Sequence, residues 1–259
     1  MTNTMQIPDF DNYKPKTDCL TGRVILVTGA GDGIGRAAAL AYASHGATVL
    51  LLGRTQKKLE QVYDEILSAG GARPSIVQMD FTKAQGEHYQ ALIDGIGEEH
   101  GRLDGLLNNA AILGDLTPIE HYDIATWQQV IHVNLTSVFI LTRCMLPLLR
   151  ASQDASVIMT SSGVGRQGRA YWGAYAVSKF GVEGLTQVLA DETGNRENLR
   201  VNCLNPGATR TQLRYRAMPG EDQDSLRRPT DILGPYLYLM GPDSRGVHGQ
   251  SIDCQPPRR

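Results

Sequence analysis

Three groups of residues in this 259-residue chain have the types and spacing to do chemistry. The first is Tyr175-Ala-Val-Ser-Lys179. Residues four apart share one face of a helix, and an ammonium beside a phenol favours the phenolate. That draws a tyrosine pKa down from about 10 toward the working range of a general acid/base. Taken alone, the spacing also fits an ordinary amphipathic surface pair. The second group, Ser156-Val-Ile-Met-Thr-Ser161-Ser162, lies just upstream and reads as a strand ending in hydroxyls. There Ser162 could hydrogen-bond a substrate carbonyl while Tyr175 gives or takes its proton. Ser161 is either a helper or a turn residue. The third is Thr28-Gly29-Ala-Gly31-Asp32-Gly33-Ile34-Gly35, between an apolar run and a helix-forming one. Glycines let the chain turn sharply and bring backbone N–H groups to a pyrophosphate at the positive end of a helix. Its spacing is not G-x-G-x-x-G, and a glycine cluster also suits a tight turn without a ligand.

A fourth residue bears on which dinucleotide such a turn would hold. After the next apolar run, Leu51-Leu52-Gly53-Arg54 lacks the acidic residue that would bond a ribose 2′-hydroxyl. Gly53 leaves space, and the Arg54 guanidinium suits a 2′-phosphate. NADP(H) is therefore expected over NAD(H), which stays as the alternative. Two features oppose this: the charge of Asp32, which would repel that phosphate, and the chance that Arg54 is a solvated surface residue.

Elements must bring these groups together. Short β-branched or leucine-rich runs alternate with longer amphipathic segments, the pattern of βαβ units around a parallel sheet buried on both faces. Strands are expected near Val24–Thr28, Thr48–Leu52, Ser75–Met79, Leu103–Asn108, Ser156–Thr160, Arg200–Leu204 and Gln250–Asp253. Helices are expected near Ile34–His45, Gln56–Ser68, Lys83–His100, Ile124–Arg150, Ala174–Thr193 and Thr230–Met240. The fold class is α/β: a single-domain, doubly wound Rossmann-type sheet of about seven parallel strands over residues 1–259, with ligands outside the carboxyl ends of the strands. Residues 1–20 read as a polar N-terminal extension. The polar segment 210–228, with Pro219-Gly220, reads as a loop or short helical excursion at the substrate side.

Composition excludes other classes. With 25 Lys+Arg against 27 Asp+Glu and a net charge of -2, the chain lacks the field that grips a polyanion, so neither nucleic acid nor an anionic membrane is an expected partner. The 28 glycines exceed the ~7% average without periodicity, so they need local reasons. Cys19, Cys144, Cys203 and Cys254 are far apart with no C-x-x-C, which argues against disulfides and zinc and fits a reducing cytoplasm. The histidines show no metal-ligand spacing, so no metal is expected. No apolar signal region opens the chain, and no run of ~18 apolar residues occurs.

The combination of Thr28-Gly-x-x-x-Gly-x-Gly35, Asn108-Asn-Ala-Ala111, Asn134, Ser162, Tyr175-x-x-x-Lys179 and Asn205-Pro-Gly207 resembles the classical short-chain dehydrogenase/reductase family, in the family's order over nearly the whole chain. Within it, Gly-Asp-Gly-Ile-Gly, Leu-Leu-Gly-Arg54 and Val164-Gly-Arg-Gln-Gly-Arg-Ala170 look similar to the YciK-like bacterial oxidoreductases. The resemblance implies hydride transfer between a nicotinamide and a small-molecule carbonyl or alcohol. Tyr175 would be the acid/base, with Lys179 lowering its pKa and holding the nicotinamide ribose. Ser162 would orient the substrate oxygen, and Asn134 would hold a water linking Lys179 to solvent. Thr28, Gly29, Gly31, Asp32, Gly33, Ile34 and Gly35 would cover the pyrophosphate. Asp80, beside Phe81, would meet the adenine amino group, and Asn108 and Ala110 would line the adenine ribose. Pro206, Gly207, Thr209 and Thr211 would flank the carboxamide.

Two positions depart from the family pattern: Ala111, where glycine is usual, and Thr209, where Ile or Val is usual. Arg166, Arg169, Arg214 and Arg216 are either binders of an acidic substrate or solvent and subunit-contact residues. Apolar residues on more than one face of Ile124–Arg150 and Ala174–Thr193 suggest a homodimer or homotetramer. The competing functional reading is a nucleotide-binding sensor that keeps the fold without turnover.

Overall fold

The leucines and valines of the strands sort into two layers by simple alternation. Ile25, Val27, Val49 and Leu51 face one side, and Val24, Leu26, Leu50 and Leu52 face the other. The computed structural model describes residues 7–194 and 198–256. Among them, β1 (Val24–Thr28), β2 (Thr48–Gly53), β3 (Ser75–Gln78), β4 (Gly105–Asn108), β5 (Ala155–Thr160), β6 (Leu199–Asn205) and β7 (Ser251–Asp253) form one parallel sheet in the order β3-β2-β1-β4-β5-β6-β7. The order reverses between β1 and β4, which opens a cleft at their carboxyl ends.

Helices α1 (Gly33–Ser44) and α2 (Gln56–Ser68) cover one face, and α3 (Gly86–His100) covers the other. The expected helix Ile124–Arg150 is divided: α4 (Ile124–Ile131) passes through a π-helical turn, His132–Thr136, into α5 (Ser137–Arg150). By length and composition this 27-residue helix could cross a membrane, but 44% of its most apolar window is buried, and it packs on α3 and α6 (Gly173–Thr193). It is a core helix of the sheet's second layer.

Other boundaries shift for local reasons. Asp80 accepts hydrogen bonds from Thr82, so the chain turns there and α3 starts at Gly86 rather than near Lys83. The helix expected over Thr230–Met240 is a 3₁₀ turn at Pro229–Ile232 followed by α8 (Gly234–Met240), because Pro235 supplies no N–H to continue the first turn. The substrate-side segment contains α7 (Gln212–Ala217), capped by the Thr211 hydroxyl, and a bridge from Thr209 to Arg227 ties its two ends together.

Of the N-terminal extension, residues 1–6 lie outside the described residues. The rest is docked: Phe10 and Tyr13 pack edge-on against Tyr238 of α8, Tyr13 donates to Asp243 at 2.9 Å, and Asp11 pairs with Arg227 at 2.7 Å.

Candidate active site

Three loops meet over the cleft. Thr28 ends β1 with its hydroxyl oxygen accepting from the N–H groups of Asn109 (2.8 Å) and Ala110 (3.0 Å), which binds the loop after β4 to the glycine turn. Gly29 (φ +69°) turns the chain, and a Cβ there would lie 3.2 Å from the Ala110 backbone. At Gly35 a Cβ would lie 2.3 Å from the Gly29 carbonyl oxygen, so only glycine allows α1 to begin this close to the turn. Gly33 (φ +54°) faces the Thr211 side chain, which places the loop after β6 opposite the glycine turn. Asp32 caps α1 by accepting from Gly33 N–H at 2.7 Å. Ile34 is half-buried against the first core layer.

The structure weakens the objection raised by Asp32. Its carboxylate is bonded to the Lys58 ammonium. Burial works to raise its pKa, but Lys58 and the Gly33 N–H outweigh this and hold it below the ordinary carboxylate range. Arg54 is exposed, with no side-chain hydrogen bond or ion pair among the described residues. Gly53 does not open space as expected, since a Cβ there would press on Leu59 of α2 at 3.2 Å. These residues fit a phosphorylated dinucleotide: a backbone cradle that a Cβ would fill, at a helix N-terminus, beside an unpaired guanidinium.

Several of the residues expected at the cofactor also serve the protein. The Asn108 amide turns into the core, donating to Thr142 Oγ1 at 3.0 Å, so its side chain does not line a ribose. Phe81 is buried and stacked on Tyr89, while its carbonyl faces His132 Nε2 at 3.0 Å. Asp80 already serves Thr82; burial raises its carboxyl, but the Thr82 bonds and nearby Arg54 bring it below the usual range. Thr209 is buried, and its hydroxyl accepts from Gln255 Nε2, which also reaches the Pro206 carbonyl at 2.7 Å. Gly207 (φ +72°) makes room for that glutamine, since its Cβ would lie 2.6 Å from Gln255.

Across the cleft stands the hydroxyl set. Ser162 follows β5 in extended backbone, and Tyr175 and Lys179 lie one turn apart on α6. Tyr175 is 7% exposed. Burial pushes its phenol up to about 12, against a smaller downward pull from the Ser162 hydroxyl. The expectation that Lys179 depresses this pKa is not met here, because the ammonium lies 5.7 Å from the ring centroid and donates to the Thr160 carbonyl at 2.7 Å. Lys179 is itself buried, and desolvation lowers its pKa to about 8, opposed by Cys203 and Glu183. Gly165 lets the pocket loop close on this lysine, for its Cβ would lie 2.7 Å from Lys179 Cβ.

Asn134 sits in the π-helical turn with no exposed surface. Its amide clamps the loop after β4, accepting from Ile112 N–H and donating to Ile112 O, each at 2.9 Å, and it donates to Ser178 of α6 at 3.2 Å. The extra residue of the π turn is a common device at functional sites. Sequence reasoning missed Asn109, Lys58 and Gln255. Asn109 could have been found beside Asn108, but Lys58 and Gln255 carry no local signal. It also missed Glu183, one turn beyond Lys179, which is 8% exposed and holds Arg166 Nε at 3.2 Å and Ser251 Oγ at 2.6 Å.

A doubly wound parallel sheet with a glycine turn at its switch point, facing a serine, tyrosine and lysine, defines a nicotinamide-dependent oxidoreductase. Residues 23–222 match the short chain dehydrogenase family, and the chain belongs to it. It is 51% identical over 248 residues to the uncharacterized oxidoreductase YciK of Escherichia coli (strain K12), covering 96% of this chain and 98% of that one. A short chain dehydrogenase of Escherichia coli CFT073 complexed with NADPH superposes with a TM-score of 0.91 at 51% identity, covering 93% of this chain and 100% of the other. One from Shigella flexneri 2a str. 301 complexed with NADP gives a TM-score of 0.90 at 50% identity, with coverages of 93% and 100%.

Proposed function

We propose that this oxidoreductase binds NADP(H) and interconverts a carbonyl and an alcohol, with Tyr175 as the proton donor and acceptor. When bound, the cofactor supplies the hydride for the carbonyl carbon. Thr28, Gly29, Gly31, Asp32, Gly33, Ile34 and Gly35 surround the pyrophosphate, and Arg54 meets the 2′-phosphate. Asp80, Phe81 and Ala110 contribute on the adenosine side, Phe81 and Ala110 through their backbone. Pro206, Gly207, Thr209 and Thr211 border the carboxamide. The complexes of the two similar dehydrogenases with NADPH and NADP support the choice of cofactor.

Ser162 holds the substrate oxygen, and the Tyr175 hydroxyl gives its proton to the developing alkoxide. A phenol kept protonated by burial is the form needed to donate in reduction. Lys179 holds positive charge behind the ring. Lys179 also holds the nicotinamide ribose, and Asn134 keeps the loop after β4 in register with α6, the helix that carries this lysine.

The observation carrying this reading is the placement of Ser162 at the carboxyl end of β5 with the buried Tyr175 and Lys179 one turn apart on α6, Lys179 Nζ lying 5.7 Å from the tyrosine ring. The test is NADPH oxidation over a panel of aldehydes, ketones, quinones and keto acids, run beside Tyr175→Phe. The variant should bind NADPH normally and lose turnover. Retained turnover with any accepted substrate would remove Tyr175 from the role.

A homodimer or homotetramer is part of the proposal. Phe139 of α5, with Phe180 and Val188 of α6, are 48%, 45% and 55% exposed, apolar side chains that a second copy of the chain would cover. Monomeric mass in light scattering at micromolar concentration would reject it. Four free thiols accord with a reducing cytoplasm.

A further inference from the structure

The surroundings of Tyr175 carry information about what the carbonyl is attached to. Its ring belongs to a separate apolar cluster built by three elements: Val164 and Trp172 from the loop after β5, Leu213, Ala217 and Met218 on or beside α7, and Leu113 after β4. The Trp172 and Tyr175 rings lie 5.7 Å apart. A Cβ at Gly173, two residues before Tyr175, would lie 2.6 Å from the Tyr122 ring and 3.7 Å from the Ile119 side chain, so the 3₁₀ turn Ile119–His121 packs against this end of α6. Ile119 is 68% exposed and Tyr171 is 59% exposed, the latter at φ +73°. A non-glycine residue in that conformation is strained, so an exposed aromatic is held there at a conformational cost.

Two of the four cations that could recognise an acid are committed elsewhere. Arg166 pairs with Glu183 at 3.2 Å and with Asp253 at 2.8 Å. Arg214, next to Leu213, is gripped by both carboxylate oxygens of Glu221 at 2.6 and 2.7 Å. Arg169 and Arg216 are exposed, where an ion pair contributes little. A carboxylate entering the cluster would lose its water, and neither Arg166 nor Arg214 is free to replace it.

Resting on the carbonyl–alcohol reading above, we propose that the substrate is an uncharged aldehyde or ketone with an extended apolar group, held by the cluster around Trp172 and Met218 and running out over Ile119 and Tyr171. In the reduction, two electrons and one proton leave NADPH as hydride to the carbonyl carbon. The oxygen takes its proton from Tyr175, which is reprotonated from solvent, leaving NADP⁺ and the alcohol.

The experiment pairs methyl ketones of increasing chain length with the same ketones ending in a carboxylate. Turnover is followed as NADPH oxidation. Binding is followed separately by quenching of Trp172 fluorescence in NADP⁺-loaded Trp127→Phe protein, which leaves one tryptophan. The expected result is a rise in kcat/KM of about threefold to fourfold per added methylene, with the carboxylated partners poorer by about a hundredfold or more. Trp172→Ala should flatten the length dependence at unchanged NADPH affinity. Equal or better use of the carboxylates, or no length dependence, would overturn the substrate class and leave the hydride-transfer reading standing. Ketone binding that favours long uncharged chains without turnover would uphold the pocket's preference and overturn that reading. Binding that favours the carboxylates would overturn the pocket's preference with or without turnover.

Discussion

Gly35→Ala tests the cofactor turn at its tightest point. The new Cβ would lie 2.3 Å from the Gly29 carbonyl oxygen and 2.6 Å from Asn109 Nδ2, roughly 1 Å inside ordinary contact. The oxygen has nowhere to go. Gly29 already rests on the Ala110 backbone, and the hydroxyl of Thr28 before it is held by two N–H groups of the loop after β4. Relief must come from moving the first turn of α1, the turn whose N–H groups would face the pyrophosphate. Overpacking of this kind costs about 1–3 kcal/mol. Spent wholly on the cofactor-bound conformation, that weakens NADPH binding by about 5-fold to 150-fold. Spent on the fold, it lowers Tm by roughly 2–10 °C for a chain of this size. A fluorescence titration with NADPH and a thermal melt read the two together. Gly95→Ala is the control: it lies exposed within α3 with nothing within 4 Å of its Cβ position, so it should stabilise by about 0.5–1 kcal/mol and leave NADPH binding alone. Wild-type affinity and wild-type melting for Gly35→Ala would refute the cradle.

Four further outcomes follow from named contacts. Lys179 carries its charge below about 8 and loses it above, so the reduction rate should fall as pH rises through about 8. Tyr175, pushed up to about 12, stays protonated across that range and does not set this limb. Glu183→Gln removes a carboxylate that raises the Lys179 pKa, so the limb should move to lower pH; a limb that stays in place separates the two residues. Arg54→Ala should reduce the preference for NADPH over NADH by about tenfold to a hundredfold, the worth of a charge-assisted hydrogen bond, with NADH affinity unchanged in parallel titrations. An unchanged preference would place the 2′-phosphate elsewhere. Asn134→Ala strands the Ile112 N–H and C=O, and should cost about 2–4 kcal/mol in denaturant unfolding; a variant of wild-type stability would show that the loop after β4 does not depend on the clamp.

Much of the fold was legible because local pattern and tertiary need coincide. Strands buried on both faces are apolar throughout, as in β1 and β5, and a parallel sheet needs a helix between consecutive strands. The serine, tyrosine and lysine were legible for a similar reason: strand end and helix spacing alone bring them to one edge. The π turn at His132–Thr136 was not. Its sequence is ordinary for a helix, and the bonds that Asn134 makes from this turn, to Ile112 and to Ser178, are tertiary contacts.

The sequence by itself determined the order of strands and helices along the chain, the glycine turn and the serine, tyrosine and lysine proposed to move the proton, because each depends on backbone freedom or on spacing within a few residues. Tertiary structure alone decided the charge states and the commitments of long side chains. Lys58 neutralises Asp32 across a helix, and Gln255 fills the hollow under Gly207 from the far end of the chain. Burial sets Tyr175 and Lys179 against the expected direction of their coupling. Arg166 and Arg214, which read as ready to meet an acid, turn out to be spoken for. Solvent exposure and the partners of a charge belong to the packed molecule, and no local pattern of residues encodes them.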